Sequence, residues 1–302
     1  MSYEYRINRF ASICADWGLE QIRPLIARYK IPDMQQFELE HAVALYVTRA
    51  LGIKPWESIA QLAECLDQYR EARTNVTPNG AIVPKRDFQL LYNLALNRWC
   101  DILGGMISKR PDWIKRVRLT PNIRIKFGQE LQDNENRGLN TAIPHSDAWV
   151  EGPWGFNCYV PVIGDVAHNS LLYWKLKPNS FDESFLTPAP SYTEKQDLLS
   201  FFDPDWEMKT EIGYIYLSDF AIVHATHRAA GAKARVSIDT TVLAGNHSVH
   251  PDREAEYASS IPQIGENTFV WCNRFEKDSP DDKKTVYSHY TTGAISFTHL
   301  GP

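Results

Sequence analysis

Two short polar segments of this sequence carry side chains that are able to bind a metal ion. The first, Pro144-His145-Ser146-Asp147, places an imidazole two residues before a carboxylate. The second begins at His224, far along the chain, and supplies another imidazole. Two histidines and one carboxylate on one side of an ion leave three coordination positions open, which is the facial donor set of non-haem Fe(II). The spacing therefore predicts a metal site formed by His145, Asp147 and His224.

Another histidine lies close enough to His224 to compete for the same ion. His227 follows it by three residues, so both side chains could face one opening of the fold. We expect His224 to be the ligand because it directly follows the apolar stretch 215–223, which is typical of a strand that ends at a site. His227 is then expected to be exposed or to lie behind the ligands.

A pair of residues suited to binding a carboxylate follows the second segment. Arg235 and Ser237 are separated by one residue, so they share a face of a predicted strand. A guanidinium group matches a carboxylate with two parallel hydrogen bonds, and a hydroxyl group adds another. Asn157 and Tyr159 share a face of an earlier strand and are expected to hydrogen-bond the same ligand. The alternatives left open are a surface ion pair of Arg235 with Asp239 and ordinary interior packing of the other side chains.

Two further side chains are candidates for contact with a substrate. Arg124 alternates with Lys126 on a predicted strand and could pair with a substrate carboxylate, although a solvated strand face would produce the same pattern. Trp149 follows Asp147 by two residues and could form a wall of the substrate site. Packing in the core is the alternative interpretation for this tryptophan.

The pattern of apolar residues changes near residue 118. Before it, a period close to 3.6 predicts helices at 36–51, 56–73 and 87–107. After it, alternation and short apolar runs predict strands at 122–127, 156–163, 170–176, 213–224 and 235–243. No helical pattern separates these strands, which favours antiparallel pairing over crossover connections.

We therefore predict an α+β fold with a double-stranded β-helix, that is, a cupin-like jelly roll with a helical N-terminal region. Residues 1–117 are expected to form the mainly helical region, and residues 118–302 the catalytic core, packed together as one structural unit. The long loops 129–144 and 178–211 adjoin the predicted metal ligands and are expected to act as lids, since long loops in compact domains are commonly functional. The alternative for the second loop is that its aromatic residues pack on the helical region.

Composition and charge disfavour several classes of protein. The chain has 302 residues with a net charge of −5, so it has no general attraction to nucleic acid or to an anionic membrane. No apolar run approaches the about 18 residues that cross a bilayer, and the start lacks the layout of a signal peptide. The five cysteines are scattered, which favours reduced thiols. We expect a cytoplasmic protein that acts on a small molecule, with its oligomeric state left open.

The polar segments occur in an order that resembles the Fe(II)/2-oxoglutarate-dependent dioxygenase superfamily. The residues that carry the resemblance are Pro144-His145-Ser146-Asp147, Asn157-Cys158-Tyr159-Val160-Pro161-Val162, Asn169-Ser170-Leu171, His224-Ala225-Thr226 and Arg235-Val236-Ser237-Ile238-Asp239. Their order and spacing look most like the phytanoyl-CoA-hydroxylase-like and antibiotic-biosynthesis branches. The resemblance covers roughly residues 118–245.

This resemblance implies Fe(II) as the metal and 2-oxoglutarate and O₂ as cosubstrates. It makes Arg235, supported by Ser237, the anchor of the 2-oxoglutarate C5 carboxylate. The implied reaction couples oxidative decarboxylation of 2-oxoglutarate to oxidation of a C–H bond of a small metabolite in specialised metabolism. Hydroxylation is the default outcome, and desaturation or cyclisation is compatible with the same ligands. The alternative is a cupin-type metalloenzyme, an isomerase or hydrolase that would not need the Arg235 and Ser237 pair.

Overall fold

Helices and antiparallel strands make up the part of the chain that the computed structural model describes, residues 3–71, 75–77, 79–107, 116–118, 121–130, 143–152 and 155–243, with three short strands beyond. The helices are α1 (Tyr3–Trp17), α2 (Asp33–Leu51), α3 (Ile59–Cys65), α4 (Gln89–Ile107) and α5 (Ala148–Glu151). Short 3₁₀ helices cover Leu66–Tyr69, Arg86–Phe88, Glu183–Leu186 and Tyr192–Phe201. The strands are β1 (Glu20–Arg23), β2 (Ile26–Lys30), β3 (Arg116–Arg118), β4 (Asn122–Lys126), β5 (Gly155–Gly164), β6 (Asn169–Leu176), β7 (Phe202–Pro204), β8 (Tyr214–Asp219), β9 (His224–Arg228), β10 (Arg235–Leu243), β11 (Tyr257–Ala258), β12 (Thr268–Cys272) and β13 (Ile295–His299).

Two of the three predicted helices are confirmed as α2 and α4. α2 ends at Leu51 and is capped by Gly52, whose φ of 68° allows its N–H to turn back toward the carbonyl of Arg49. The predicted helix 56–73 is shorter than expected: it begins after Ser58, whose side chain accepts a hydrogen bond from the Gln61 N–H, and it continues beyond Cys65 only as a 3₁₀ turn. Within the described residues, no helix is long and apolar enough to cross a membrane.

All strand pairings in the described residues are antiparallel, as predicted. The larger sheet has the order β1-β2-β8-β5-β10-β3-β11, and β4 also pairs with β10. A three-stranded sheet has the order β7-β6-β9, and β12 pairs with β13. The hairpin of β1 and β2 was not predicted, and it extends the larger sheet through pairing of β2 with β8.

The predicted strand 213–224 is wrong in one respect that matters for the site. β8 ends at Asp219, and His224 begins β9 in the other sheet instead of ending the same strand. The chain turns because the Asp219 carboxylate accepts a hydrogen bond of 2.8 Å from the Ala221 N–H and its carbonyl accepts one of 2.9 Å from the Ile222 N–H. Asp219 is itself fixed by a buried ion pair with Arg6 of α1. This turn passes the chain from one sheet to the other immediately before His224.

The two faces of the larger sheet differ in polarity. Apolar side chains of β4, β5, β8 and β10 join those of α1, α2 and α4 in one continuous core. The opposite face carries the polar side chains Asn122, Arg124, Lys126, Asn157, Tyr159, Arg235, Ser237 and Asp239. The three-stranded sheet joins β4 and the residue after it: the Asn169 Nδ2 group donates to the Lys126 carbonyl at 2.7 Å, and the Arg228 Nε group donates to the Phe127 carbonyl at 2.8 Å. The interior between the sheets is therefore polar and suited to a buried site.

Candidate metal centre

The three predicted metal ligands lie together in the structure. His145 and His224 form an isolated antiparallel bridge, in which each backbone N–H donates to the other residue's carbonyl, at 3.0 and 2.8 Å. Their ring centroids are 4.6 Å apart, and the His224 Nε2 atom lies 4.0 Å from the Asp147 carboxylate. One ligand atom from each of the three residues lies within 4.8 Å of the others. The three side chains are therefore close enough to hold one metal ion.

Local hydrogen bonds orient the ligands. The His145 Nδ1 atom lies 2.7 Å from the Ile143 carbonyl, and a carbonyl at this distance favours the tautomer with a proton on Nδ1, which leaves Nε2 available to a metal. Ser146 donates its hydroxyl to the Phe220 carbonyl, which fixes the segment between the two ligands. The Asn157 amide donates to the Asp147 carboxylate at 3.2 Å. Asn157, predicted to bind a cosubstrate, thus contacts a predicted metal ligand.

The electrostatic environment favours a metal cation. Burial, followed by the charge of the neighbouring His224, holds the pKa of His145 well below its usual range, so the ring is in the neutral form that binds metals. Burial raises the pKa of Asp147, and the neighbouring His224 offsets this effect only in part. A bound divalent cation would compensate this buried carboxylate.

Arg235 lies on the polar face of the larger sheet and is buried there, with 1% of its surface exposed. Its guanidinium donates to the Tyr159 hydroxyl, and its Nε atom has no hydrogen-bond partner among the described residues. The alternative of a surface ion pair with Asp239 is wrong, since Asp239 is paired with Arg124. Ser237 is buried on the same face. A buried guanidinium with an unused donor is an arrangement suited to an anionic ligand.

The predicted substrate residues have partners of their own. The Arg124 guanidinium pairs with the Asp239 carboxylate through both Nε and a terminal nitrogen. Its binding of a substrate carboxylate remains a prediction, and any such ligand would have to share the guanidinium with Asp239. Trp149 is fully buried in an aromatic and aliphatic cluster with Phe185, Tyr192, Leu198, Phe202 and Val223. This packing role was the alternative interpretation of Trp149.

Sequence reasoning did not place two tyrosines beside the predicted metal ligands. The Tyr173 ring lies 6.3 Å from the His224 ring, and burial raises the pKa of its hydroxyl well above the usual range. The only signal for Tyr173 was strand alternation, which does not reveal which face points inward. The Tyr192 ring lies 4.3 Å from the His145 ring. Its position in a 3₁₀ helix of loop 178–211 left no periodic signal in the sequence.

His224 and His227 point to opposite faces of β9, because they lie three positions apart along the strand and side chains alternate between its faces. The His227 ring packs against Trp206 at a centroid distance of 5.0 Å. His227 therefore does not belong to the cluster of potential ligands.

We expect His224→Ala to lower the affinity for Fe(II) at least about tenfold, since even residues behind a ligand contribute that much.

The matched control is His227→Ala, which removes an imidazole from the same strand. It is expected to leave Fe(II) affinity unchanged in an anaerobic titration of the purified protein. Loss of Fe(II) binding in His227→Ala, with retention in His224→Ala, would reverse the assignment.

Comparison with known proteins gives only distant structural likenesses. No family model matches the chain, and no curated protein matches it. The non-heme alpha ketoglutarate dependent carbocyclase SnoK from nogalamycin biosynthesis is 14% identical, with a TM-score of 0.45 over 83% of this chain and 87% of that one. AviO1 from Streptomyces viridochromogenes Tue57 is 14% identical, with a TM-score of 0.43 over 80% and 98%. An N-substituted L-amino acid dioxygenase from Burkholderia ambifaria AMMD is 12% identical, with a TM-score of 0.36 over 78% and 87%. At these scores the likenesses carry no weight for fold or activity, which depend on the geometry of the chain itself.

Proposed function

We propose that this chain is a non-haem Fe(II)- and 2-oxoglutarate-dependent oxygenase that oxidises a C–H bond of a small metabolite. The observation that carries the proposal is the buried cluster of His145, Asp147 and His224 facing a polar interior that contains Arg235. Tyr173 is near both parts, since its ring lies 6.3 Å from the His224 ring and the charge of Arg235 acts on its hydroxyl. One interior thus offers a facial metal site and a guanidinium for a carboxylate.

The residues present fit such a site. His145, Asp147 and His224 would hold Fe(II), which when bound supplies O₂ activation coupled to oxidative decarboxylation of 2-oxoglutarate. Arg235 and Ser237 would bind the distal carboxylate, and Tyr159 would hold the guanidinium in place. The cluster around Trp149 would exclude water from one side. Hydroxylation is the default outcome, in a biosynthetic pathway of specialised metabolism.

The fold that we propose for this site is a double-stranded β-helix with a helical N-terminal region. The antiparallel sheets and the polar interior between them support it. Residues 1–117 and 118–302 are proposed to form one structural unit. The pairing of β2 with β8 supports this, since it joins the two parts through backbone hydrogen bonds.

The proposal is tested by succinate release. Purified protein is incubated with Fe(II), 2-oxoglutarate and O₂ alone and with a panel of small metabolites, and each component is omitted in turn. Succinate formation that requires all three components and rises with one metabolite is the expected result. A metal-dependent isomerisation or hydrolysis without 2-oxoglutarate would support the cupin-type alternative instead.

Loop 178–211 remains a predicted lid, although it is not structureless. It contains two 3₁₀ helices and β7, and its Gln196 side chain donates to the Pro144 carbonyl at 2.9 Å, next to His145. Its aromatic residues pack mainly around Trp149, with one contact to α1 from Phe181 to Tyr3. Most of loop 129–144 lies outside the described residues.

We expect Fe(II), 2-oxoglutarate and substrate together to slow proteolytic cleavage within 178–211, because closure over a ligand orders a lid. Limited proteolysis under nitrogen, with and without the three ligands, measures this. Cleavage at an unchanged rate would exclude a lid role for the loop.

A further inference from the structure

Lys126 is a buried cation beside the proposed cosubstrate site, and the proposed function gives it no role. It ends β4 and pairs in register with Arg235, the first residue of β10. Directly opposed residues of an antiparallel pair point to the same face, so both side chains lie on the polar face of the larger sheet. Only 7% of the Lys126 surface is exposed. The Asn169 side-chain amide donates a hydrogen bond of 2.7 Å to the backbone carbonyl of Lys126.

Positive charge dominates the surroundings of Lys126. Burial lowers its pKa well below the usual range, and the nearby charges of Arg124, Arg235 and Arg228 lower it further. Asp239 is the acidic group that opposes them, and its carboxylate is already bound by Arg124. The Lys126 ammonium makes no hydrogen bond or ion pair with the described residues. Its positive charge is close enough to His145 to contribute to the lowered pKa of that histidine.

This arrangement costs stability in the protein without a ligand. A buried unpaired charge is unfavourable, and a like-charge pair directly across two strands adds to the cost. Arg235 already has an unused donor. An anion bound against the polar face, within reach of both side chains, would satisfy both at once.

We propose that Lys126 is a second anchor of the distal carboxylate of 2-oxoglutarate, opposite Arg235, and that this pair selects a dicarboxylate over a 2-oxo monocarboxylate. The inference rests on the proposed function and extends it to the choice of cosubstrate. A single guanidinium can bind a carboxylate, but two cations in a buried site make the loss of that carboxylate far more costly, because both are then left unpaired.

The test compares two ligands that differ only at the distal end. 2-Oxoglutarate and 2-oxopentanoate share a five-carbon 2-oxo acid chain, and only the former has the second carboxylate. Binding of each to the Fe(II)-loaded protein is measured anaerobically by titration calorimetry, for the wild type, Lys126→Met and Lys126→Arg. Lys126→Met is expected to weaken 2-oxoglutarate binding at least about 30-fold and to leave 2-oxopentanoate unchanged, whereas Lys126→Arg retains most of the selectivity.

Thermal unfolding without ligand separates an anchor from a structural lysine. Lys126→Met is expected to unfold at the same temperature as the wild type or higher, since it removes a buried unpaired charge. Lys54→Met, which removes an exposed lysine, controls for the change in net charge. If Lys126→Met does not fold, Lys126→Gln provides the same comparison.

Two results would overturn the assignment of Lys126. One is unchanged 2-oxoglutarate affinity in Lys126→Met, and the other is an equal loss of affinity for both 2-oxo acids, which indicates a structural role or an anchor for a different anion. Failure of the wild type to bind 2-oxoglutarate would instead overturn the proposed function, and the role of Lys126 with it.

Discussion

Replacement of Asp147 by alanine is expected to abolish succinate formation and to weaken Fe(II) binding at least about 100-fold. The reason is that Asp147 is the single carboxylate of the cluster, and the loss of a residue behind a ligand already costs 10–100-fold in affinity or activity. Asp147→Asn keeps the shape of the side chain and removes its charge, so it separates the two contributions. Anaerobic Fe(II) titration and succinate release measure both effects.

Glu151→Ala is the matched control for Asp147, because it removes an exposed carboxylate four residues along the same segment. It should retain Fe(II) binding and turnover. Full activity of Asp147→Ala would contradict the metal assignment, as would an equal loss in the control.

Arg235→Ala is expected to raise the KM for 2-oxoglutarate at least about 30-fold. Removing one partner of a buried charged pair costs about 2–5 kcal/mol, and every 1.4 kcal/mol corresponds to about tenfold in affinity. Arg235 is suited to this role because it is buried, is held by the Tyr159 hydroxyl and keeps an unused donor. Initial rates at varied 2-oxoglutarate concentration measure the effect.

Arg28→Ala controls for the loss of a guanidinium from the same sheet, since Arg28 lies on β2 and pairs with the exposed Glu20 at 2.7 Å. Its KM should equal that of the wild type. An unchanged KM in Arg235→Ala would show that another group binds the carboxylate and would favour a metalloenzyme that does not use 2-oxoglutarate.

Local patterns predicted the strands that form the site. β10 has the predicted bounds, and β4, β5 and β6 differ from the predicted ranges by about one residue. Their alternation is strong because one face meets the apolar core and the other meets a polar interior. The break after Asp219 was missed because the stretch 215–223 is mostly apolar and has the pattern of one continuous strand, whereas the turn depends on the contact of Asp219 with Arg6 and on local backbone bonds.

The cluster of His145, Asp147 and His224 was predictable because the close pair His145 and Asp147 gains significance from a later histidine beside a strand and from Arg235 and Ser237 on the next strand. The roles of Asn157, Tyr173 and Lys126 were not, because they depend on which face of each strand points inward and on what lies across from it. In the sequence, Lys126 and Arg124 are polar residues of an ordinary strand pattern that alternates with apolar residues. Only the pairing of β4 with β10 places Lys126 opposite Arg235.

Anomalous diffraction at the iron absorption edge tests the central claim most directly. Crystals of the wild-type protein grown anaerobically with Fe(II) and 2-oxoglutarate are expected to show one strong peak at ~2.1 Å from the side chains of His145, Asp147 and His224, the distance at which nitrogen and oxygen ligands bind such metals. The expected electron density for 2-oxoglutarate extends from this peak to Arg235. A peak elsewhere, or no iron at these three residues in crystals that contain it, would contradict the account.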